Sequence, residues 1–136
     1  MIPQTDEYMG LINDDFEYIT STSKTYTLNT DTSHVQSVRI DGIEAVKQAI
    51  YLLLSTERYE YCIYDEYGVE LWDLYGREDA YVIPELERRI TEAVLNDDRV
   101  ISVDNFKIDN KGRIKLCTFN VQSIFGDFNI SKEVSM

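Results

Sequence analysis

Between residues 113 and 121 the side chains alternate almost strictly, and this pattern limits the possible folds more than any other feature. The odd-numbered positions are Lys115, Cys117, Phe119 and Val121, and the even-numbered positions are Ile114, Leu116, Thr118 and Asn120. Because successive side chains of a strand point to opposite faces of its sheet, a period of two predicts a β-strand. The chain is therefore expected to contain a sheet.

The sequence around this segment also predicts extended structure. Residues 100–103 and 106–108 form apolar runs before it, and the Asp-Asn-Lys-Gly composition of residues 109–112 is typical of a hairpin loop. After Gly126, a last short run covers residues 127–130. The carboxyl-terminal third of the chain is therefore predicted to be β-structure.

Two helices are predicted by apolar residues that recur at three- and four-residue steps. The first begins at Asp41, which forms a capping box with Glu44, and ends near residues 55–56. The second begins at Pro84, whose missing amide proton costs nothing in a first turn, and ends at Asn96. The predicted inner faces are Ile43, Val46, Ala49, Ile50, Leu53 and Leu54 in the first helix, and Leu86, Ile90, Ala93 and Val94 in the second.

The order of the elements predicts the fold class. Residues 25–29 and 35–40 indicate a hairpin, and the tyrosine-rich residues 57–67 indicate either a strand with one wet face or a tight extended loop. The order is roughly ββ-α-β-α-βββ, which is typical of a single α+β domain with a mostly antiparallel sheet and two main helices. We assign this domain to residues 23–136. Residues 1–22, acidic and without periodicity, are predicted to be a flexible arm.

Composition narrows the function classes. A formal net charge of −12 repels nucleic acid and anionic membranes, so neither is expected as a partner. No signal peptide or membrane-length apolar run is visible, so Cys62 and Cys117 are interpreted as reduced core residues of an intracellular protein. Because His34 is the single histidine and no metal or nucleotide motif occurs, we expect no metal and no cofactor.

A catalytic role has weak support. Carboxylates lie within the tyrosine-rich stretch, and an acid held against aromatic rings can act as the general acid of glycoside cleavage. The same carboxylates are more simply interpreted as exposed residues, or as partners of Arg58. We assign no catalytic residue among the four candidates, Glu57, Glu60, Asp65 and Glu66.

An ordered series of segments resembles the XkdS-like proteins of defective Bacillus prophages and related contractile tails. The segments are Thr25-Tyr-Thr-Leu, Ile40-Asp-Gly-Ile-Glu-Ala-Val-Lys-Gln-Ala-Ile-Tyr51, Thr56-Glu-Arg-Tyr, Ile63-Tyr-Asp-Glu-Tyr-Gly68, Ile83-Pro-Glu-Leu-Glu-Arg-Arg-Ile-Thr-Glu-Ala93 and Asp97-Asp-Arg-Val100. The resemblance covers roughly residues 23–130. More distantly, this group is similar to baseplate wedge proteins that act as sheath initiators, historically labelled tail lysozymes.

The resemblance implies a non-catalytic structural role in a tail baseplate assembled in the cytoplasm of the bacterial host. Implied partners are other baseplate wedge proteins, the tail sheath protein and the tail tube or hub. Family members carry a wedge-contacting Glu-Pro-Arg element after their second main helix, where this chain has Asp97, Asp98 and Arg99 and lacks the proline. Arg58 matches the family's arginine after the first helix. Arg58, Asp97 and Arg99 are therefore candidate partner contacts.

The last extended run is a second candidate contact. Tail sheaths assemble by strand addition between subunits, so an initiator is expected to offer a sheet edge or a free strand. Phe125, Phe128 and Ile130 are the candidate residues. The same run fits equally well as a strand that completes the protein's own sheet.

Two alternative functions stay open at this point. A peptidoglycan-degrading tail lysozyme is suggested by the historical label and by the abundant carboxylates. An acidic docking module unrelated to tails is suggested by the net charge of −12.

Overall fold

The structure, a computed structural model, describes residues 22–136. These residues contain five β-strands and two α-helices. The elements are β1 (Thr25–Asn29), β2 (His34–Ile40), α1 (Ile43–Leu54), a 3₁₀-helix (Trp72–Leu74), α2 (Asp79–Leu95), β3 (Val100–Lys111), β4 (Ile114–Ser123) and β5 (Gly126–Ser135). All strand pairs are antiparallel, in a β1-β2 sheet and a β3-β4-β5 sheet. The predicted α+β class is confirmed. The arm predicted for residues 1–22 lies outside the described residues, apart from Thr22.

The central strand of the larger sheet is β4, and its alternating sequence puts one face in the core. Lys115, Cys117, Phe119 and Val121 are buried, whereas their even-numbered neighbours are half-buried or exposed. The predicted strand is therefore confirmed. The two runs predicted before it form one strand, β3, because a bulge with Asn105 at φ 53° lets pairing with β4 resume at Lys107. The hairpin loop is shorter than predicted, because residues 109–111 also pair with β4.

Both helices contribute most of their predicted inner faces to one core beneath this sheet, with Ile43 partly buried against it. The prediction for Ala49 is wrong, because Ala49 is only half-buried while Ala45 is buried. The buried side chains are Ala45, Val46, Ile50, Leu53 and Leu54 from α1, Val82, Leu86, Ile90, Ala93 and Val94 from α2, and Cys117, Phe119, Val121, Phe128 and Val134 from the sheet. Each large apolar side chain that is fully buried contributes about 1.5–3 kcal/mol of transfer free energy. The core therefore fixes how the helices lie on the sheet.

The predicted N-cap of α1, Asp41, is wrong by one residue. The helix begins at Ile43, and its N-cap is Gly42, at φ 64°, with no side-chain cap. The Asp41 carboxylate accepts instead from the Gly42 amide at 2.7 Å. Because this bond occupies Asp41 before the first turn, the capping box with Glu44 does not form. The predicted end is confirmed, since Ser55 is the C-cap.

The predicted start of α2 at Pro84 is also wrong. The helix begins at Asp79, and the carbonyl oxygen of Glu78 accepts from the amides of Tyr81 and Val82, both at 3.0 Å. Burial of Val82 extends the apolar face one turn towards the amino terminus. Propensity placed Pro84 in the first turn, but tertiary packing determines where the helix begins. The predicted stop is confirmed, since Asn96 is the C-cap.

Between the helices the structure has a tight loop rather than a strand. Residues 55–78 contain turns, the 3₁₀-helix and a single bridge between Glu57 and Val69. The β element predicted here is thus reduced to one bridge. Cys62 lies in this loop and is exposed, so its assignment to the core is wrong. Cys117 is buried as predicted, and burial raises its pKa to about 11.

The β1-β2 hairpin is held to α1 by one side chain. The Gln48 amide accepts from the Leu28 amide and donates to the Tyr26 carbonyl oxygen, both at 2.8 Å. These bonds satisfy backbone groups on one side of β1, while every residue of β2 except Ile40 is exposed. The predicted hairpin is confirmed, and it stands outside the main core.

A buried lysine joins α2 to the β3-β4 turn. Lys115 is 1% exposed, and its ammonium group donates to Asp79 at 2.7 Å, Asn110 at 3.0 Å and the Gly112 carbonyl oxygen at 3.2 Å. The bonds to Lys115 and Asn110 lower the pKa of Asp79. All three donors of the buried charge are thus used, which offsets its desolvation.

Candidate partner-binding surface

The six predicted contact residues lie on three parts of the fold. Asp97 and Arg99 follow α2, Arg58 follows α1, and Phe125, Phe128 and Ile130 lie in or beside β5. A backbone bond links two of these parts, because the amide of Ile124 donates to the carbonyl oxygen of Arg99 at 3.0 Å. The turn before β5 therefore adjoins the turn after α2.

Asp97 and Arg99 form an ion pair within one turn. The Asp97 carboxylate accepts from Nε of Arg99 at 3.0 Å, from Nη2 at 2.7 Å and from the Arg99 amide at 2.9 Å. The bonds to Arg99 lower the pKa of Asp97. Among the described residues, Nη1 of Arg99 has no hydrogen-bond partner. The turn therefore presents a fixed guanidinium group with one nitrogen still available to an acceptor.

Arg58 lies in the loop beside α2. Its Nε donates to the Gly68 carbonyl oxygen at 3.3 Å, and it lines a polar cavity of about 180 Å³ with Glu70, Arg88, Arg89 and Glu92. This cavity is bordered by residues from the loop and from α2. Arg58 therefore helps to position the loop, and it also faces a solvent-accessible polar recess.

A charged network beside this recess ties the loop to α2. Arg89 pairs with Asp73 of the 3₁₀-helix and, at 3.0 Å, with Glu85 one turn earlier in α2. It also donates to the Glu70 carbonyl oxygen at 2.9 Å. The bond to Arg89 lowers the pKa of Asp73. The sequence pattern gave no sign of this role, because the two partners of Arg89 in the loop are 16 and 19 positions away.

The run after Gly126 belongs to the protein's own sheet. β5 pairs with β4 along its whole length, and it lies at the edge of the β3-β4-β5 sheet. Phe128 is buried, Ile130 packs partly against the core, and Phe125 is 43% exposed in the preceding turn. Of the two sequence interpretations, the one in which the run completes the sheet describes its fold. The outer edge of β5 has no partner strand among residues 22–136.

Two grooves follow this outer edge. One, of about 190 Å³, lies between β5 and α1 and is lined by Lys47, Tyr51, Leu54 and residues 129–132. The other, of about 230 Å³, lies between residues 132–135 and the loop with its 3₁₀-helix. Lys132 borders both grooves, and burial lowers its pKa. A half-buried lysine on an edge strand discourages indiscriminate strand pairing.

An exposed row of tyrosines was not assigned to any site from the sequence. Tyr61, Tyr64 and Tyr67, called here the aromatic ladder, have ring centroids 5.8 Å and 5.9 Å apart in successive pairs. Burial raises the pKa of Tyr67, and the charge of the Asp97 carboxylate raises it by a smaller amount. The regular three-residue spacing of the ladder was the available sequence signal.

Of the four carboxylates considered for catalysis, one accepts from backbone amides and three are exposed. Glu57 accepts from the amides of Leu71 at 2.8 Å and Trp72 at 3.0 Å, so it caps the 3₁₀-helix. Glu60, Asp65 and Glu66 are exposed. Within residues 22–136 there is no group of three potential metal ligands, and neither helix is long and apolar enough to cross a membrane.

We expect Asp97→Asn to lower the free energy of unfolding by about 1 kcal/mol at pH 7, because Arg99 loses a charged acceptor. The pKa of Asp97 is lower in the folded state, so its contribution is complete above the unfolded pKa of about 3.9 and is lost as pH falls through the folded value. Urea titrations at pH 7 and below pH 3 measure this. The difference between parent and variant should shrink at low pH.

The matched control for that comparison is Asp127→Asn. Asp127 is exposed and has no ion pair among the described residues, so its replacement should leave stability nearly unchanged at both pH values. A loss at Asp97 that persists undiminished below pH 3 would show that the carboxylate contributes through packing and not through its charge.

One protein family and one individual protein are similar to this chain. The family model described as contractile injection system sheath initiator matches residues 17–126. The chain is also similar to the phage-like element PBSX protein XkdS of Bacillus subtilis (strain 168), with 34% identity over 120 residues, which are 85% of this chain and 85% of that protein. Arg58, Asp97 and Arg99 lie inside the segment matched by the family, while Phe128 and Ile130 lie beyond it.

Proposed function

Because the chain belongs to the contractile injection system sheath initiator family, we propose that it links the baseplate wedge, the tail tube and the first sheath ring without catalysing a reaction. The family makes the chain a structural component of a contractile tail. In this role the chain lies in the tail baseplate, and the baseplate is assembled in the cytoplasm of the bacterial host. Its partners there are wedge proteins, the sheath protein and the tube or hub.

The observation that carries the sheath contact is the outer edge of β5, which has no partner strand in the part of the chain that the structure describes. A strand added there would gain main-chain hydrogen bonds, and the neighbouring grooves would receive its alternate side chains. Because the Phe128 side chain is buried, its share in such a contact comes through its backbone. Phe125, which is exposed in the turn before β5, can touch a partner directly.

The wedge contact is assigned to Arg58, Asp97 and Arg99. The ion pair with Asp97 holds the Arg99 guanidinium in place and leaves Nη1 for a carboxylate or carbonyl acceptor. The missing proline makes this turn depend on the ion pair for its rigidity. The role of Asp97 is therefore to position Arg99.

Co-sedimentation of the tagged protein with tail particles from an induced lysate of its native host tests this function. We expect a fixed stoichiometry with intact tails and a location at the baseplate end. Arg99→Ala and Arg58→Ala should reduce tail assembly at least tenfold while the isolated proteins remain folded. Circular dichroism and thermal melting check the folding of each variant.

Arg113→Ala is the control substitution for the wedge contact in the same lysates, because Arg113 is exposed in the β3-β4 turn, at the opposite end of β3 from Arg99. Normal tails from both the Arg99 and Arg58 variants would contradict the wedge assignment. A protein that stays at the top of the gradient would contradict the tail role itself and favour an acidic docking module.

A further inference from the structure

The loop between α1 and α2 exposes an unusual number of large side chains. Within residues 55–78, the exposed fractions range from 42% for Tyr67 to 85% for Ile63. The complete set is Tyr59, Tyr61, Ile63, Tyr64, Tyr67, Trp72 and Tyr75. Contiguous exposed patches of this kind mark protein-binding surfaces, and tyrosine and tryptophan are frequent anchors in them.

Hydrogen bonds at the base of the loop hold these side chains in place. The amide of Val69 donates to Thr56 at 3.0 Å, and the amide of Arg58 donates to Val69 at 3.2 Å. Further out, Tyr59 and Asp65 have positive φ angles of 65° and 45°, and the Tyr59 amide donates to the Asp65 carbonyl oxygen at 3.2 Å. The aromatic ladder is therefore presented by a structured loop, which lowers the entropy cost of binding.

The negative charge of this loop favours a positively charged partner for its exposed surface. Residues 55–78 contain seven acidic and two basic residues, a net charge of −5. Among the described residues, Glu60, Asp65 and Glu66 form no ion pair and are exposed beside the ladder. A second copy would bring the same charge against it. Residues 1–21 carry five acidic and no basic residues, so the chain's own arm is equally mismatched.

We propose that the aromatic ladder and its flanking carboxylates bind an arginine-bearing segment of a partner protein. A guanidinium group can stack on a tyrosine ring and donate in parallel to a carboxylate, whereas an ammonium group acts as a point charge. The loop provides both kinds of acceptor within a few residues. This surface adds to the contacts assigned to Arg58, Asp97 and Arg99, and it can be tested without tails.

The test uses the full chain and a fluorescently labelled helical peptide of leucine and arginine, with lysine- and glutamate-substituted versions. Fluorescence anisotropy should show saturable binding of the arginine peptide, weaker binding of the lysine peptide and none of the glutamate peptide. Replacing both Tyr61 and Tyr64 by serine should weaken binding of the arginine peptide by on the order of tenfold or more. Because both side chains are exposed, thermal melting should be nearly unchanged.

Tyr26→Ser is the matched control, since Tyr26 is 49% exposed but lies on β1. It should leave the affinity unchanged. The proposal is overturned if the arginine peptide does not bind, if lysine and arginine peptides bind equally, or if the control weakens binding as much as the double variant. A different outcome is that the parent protein and the control self-associate as concentration rises, while the double variant does not. That result would identify a second copy of the chain as the occupant of this surface. None of these outcomes depends on co-sedimentation with tails.

Discussion

Replacing Phe119 by alanine is expected to lower the free energy of unfolding by about 3–5 kcal/mol. Phe119 is fully buried at the centre of β4, and its ring stacks on Phe106 with centroids 5.3 Å apart and planes 6° from parallel. The variant loses both the transfer free energy of the ring and the contacts around the resulting cavity. Since a domain of this size is stable by about 5–15 kcal/mol, much of the native stability should disappear.

Urea denaturation followed by circular dichroism measures this effect. Phe119→Leu retains most of the volume and should cost clearly less, while Phe125→Ala removes an exposed ring and should change stability by about 0.5 kcal/mol or less. Equal losses for Phe119→Ala and Phe125→Ala would contradict the assignment of Phe119 to the core.

Replacing Gly68 by alanine is expected to destabilise the protein by about 2–4 kcal/mol. A Cβ atom at this position would lie 2.4 Å from the carbonyl oxygen of Thr56 and 3.2 Å from the amide nitrogen of Arg58. The residue also has φ +110°, which L-amino acids rarely adopt. The obstacle is backbone, so the base of the loop would have to open.

Gly76→Ala separates the steric clash from the cost of a positive φ angle. Gly76 has φ +76°, but a Cβ atom there would meet no other atom within 4 Å. It should show the conformational cost alone, about 1 kcal/mol. Thermal melting of both variants gives the comparison. Similar losses would mean that the approach of Gly68 to Thr56 does not limit the loop.

Sequence periodicity predicted the parts of the fold that are set by burial. The alternation around Phe119 and the apolar stripes around Ile50 and Ile90 each reflect one buried face, and one buried face is enough to specify a strand or a helix. The predicted hairpin at the β3-β4 turn and the α+β order followed from the same patterns. These features could be read locally because each depends on residues close together in the chain.

The features that could not be predicted depend on distant residues. Local propensity placed the start of α2 at Pro84, but burial of Val82 and the pairing of Asp79 with Lys115, 36 positions away, start it earlier. Cys62 resembled a core residue by type, yet the turns around it leave it exposed.

The candidate surface was predictable only in part. Resemblance to a family supplied Arg58, Asp97 and Arg99, and the sequence could not show that Arg99 pairs with Asp97. The aromatic ladder was visible as a tyrosine-rich stretch, but whether such a stretch is core or surface depends on the packing of the whole domain.

The sheet connectivity also bears on how fast the protein folds. In residues 22–136 every strand pairs only with its neighbour in sequence, through the turns between β1 and β2, β3 and β4, and β4 and β5. Short turns carry little loop-closure entropy, so strand pairing within both sheets needs no contacts between distant parts of the chain. We therefore expect folding within about milliseconds to seconds. A component made this way reaches its assembly-competent shape soon after synthesis.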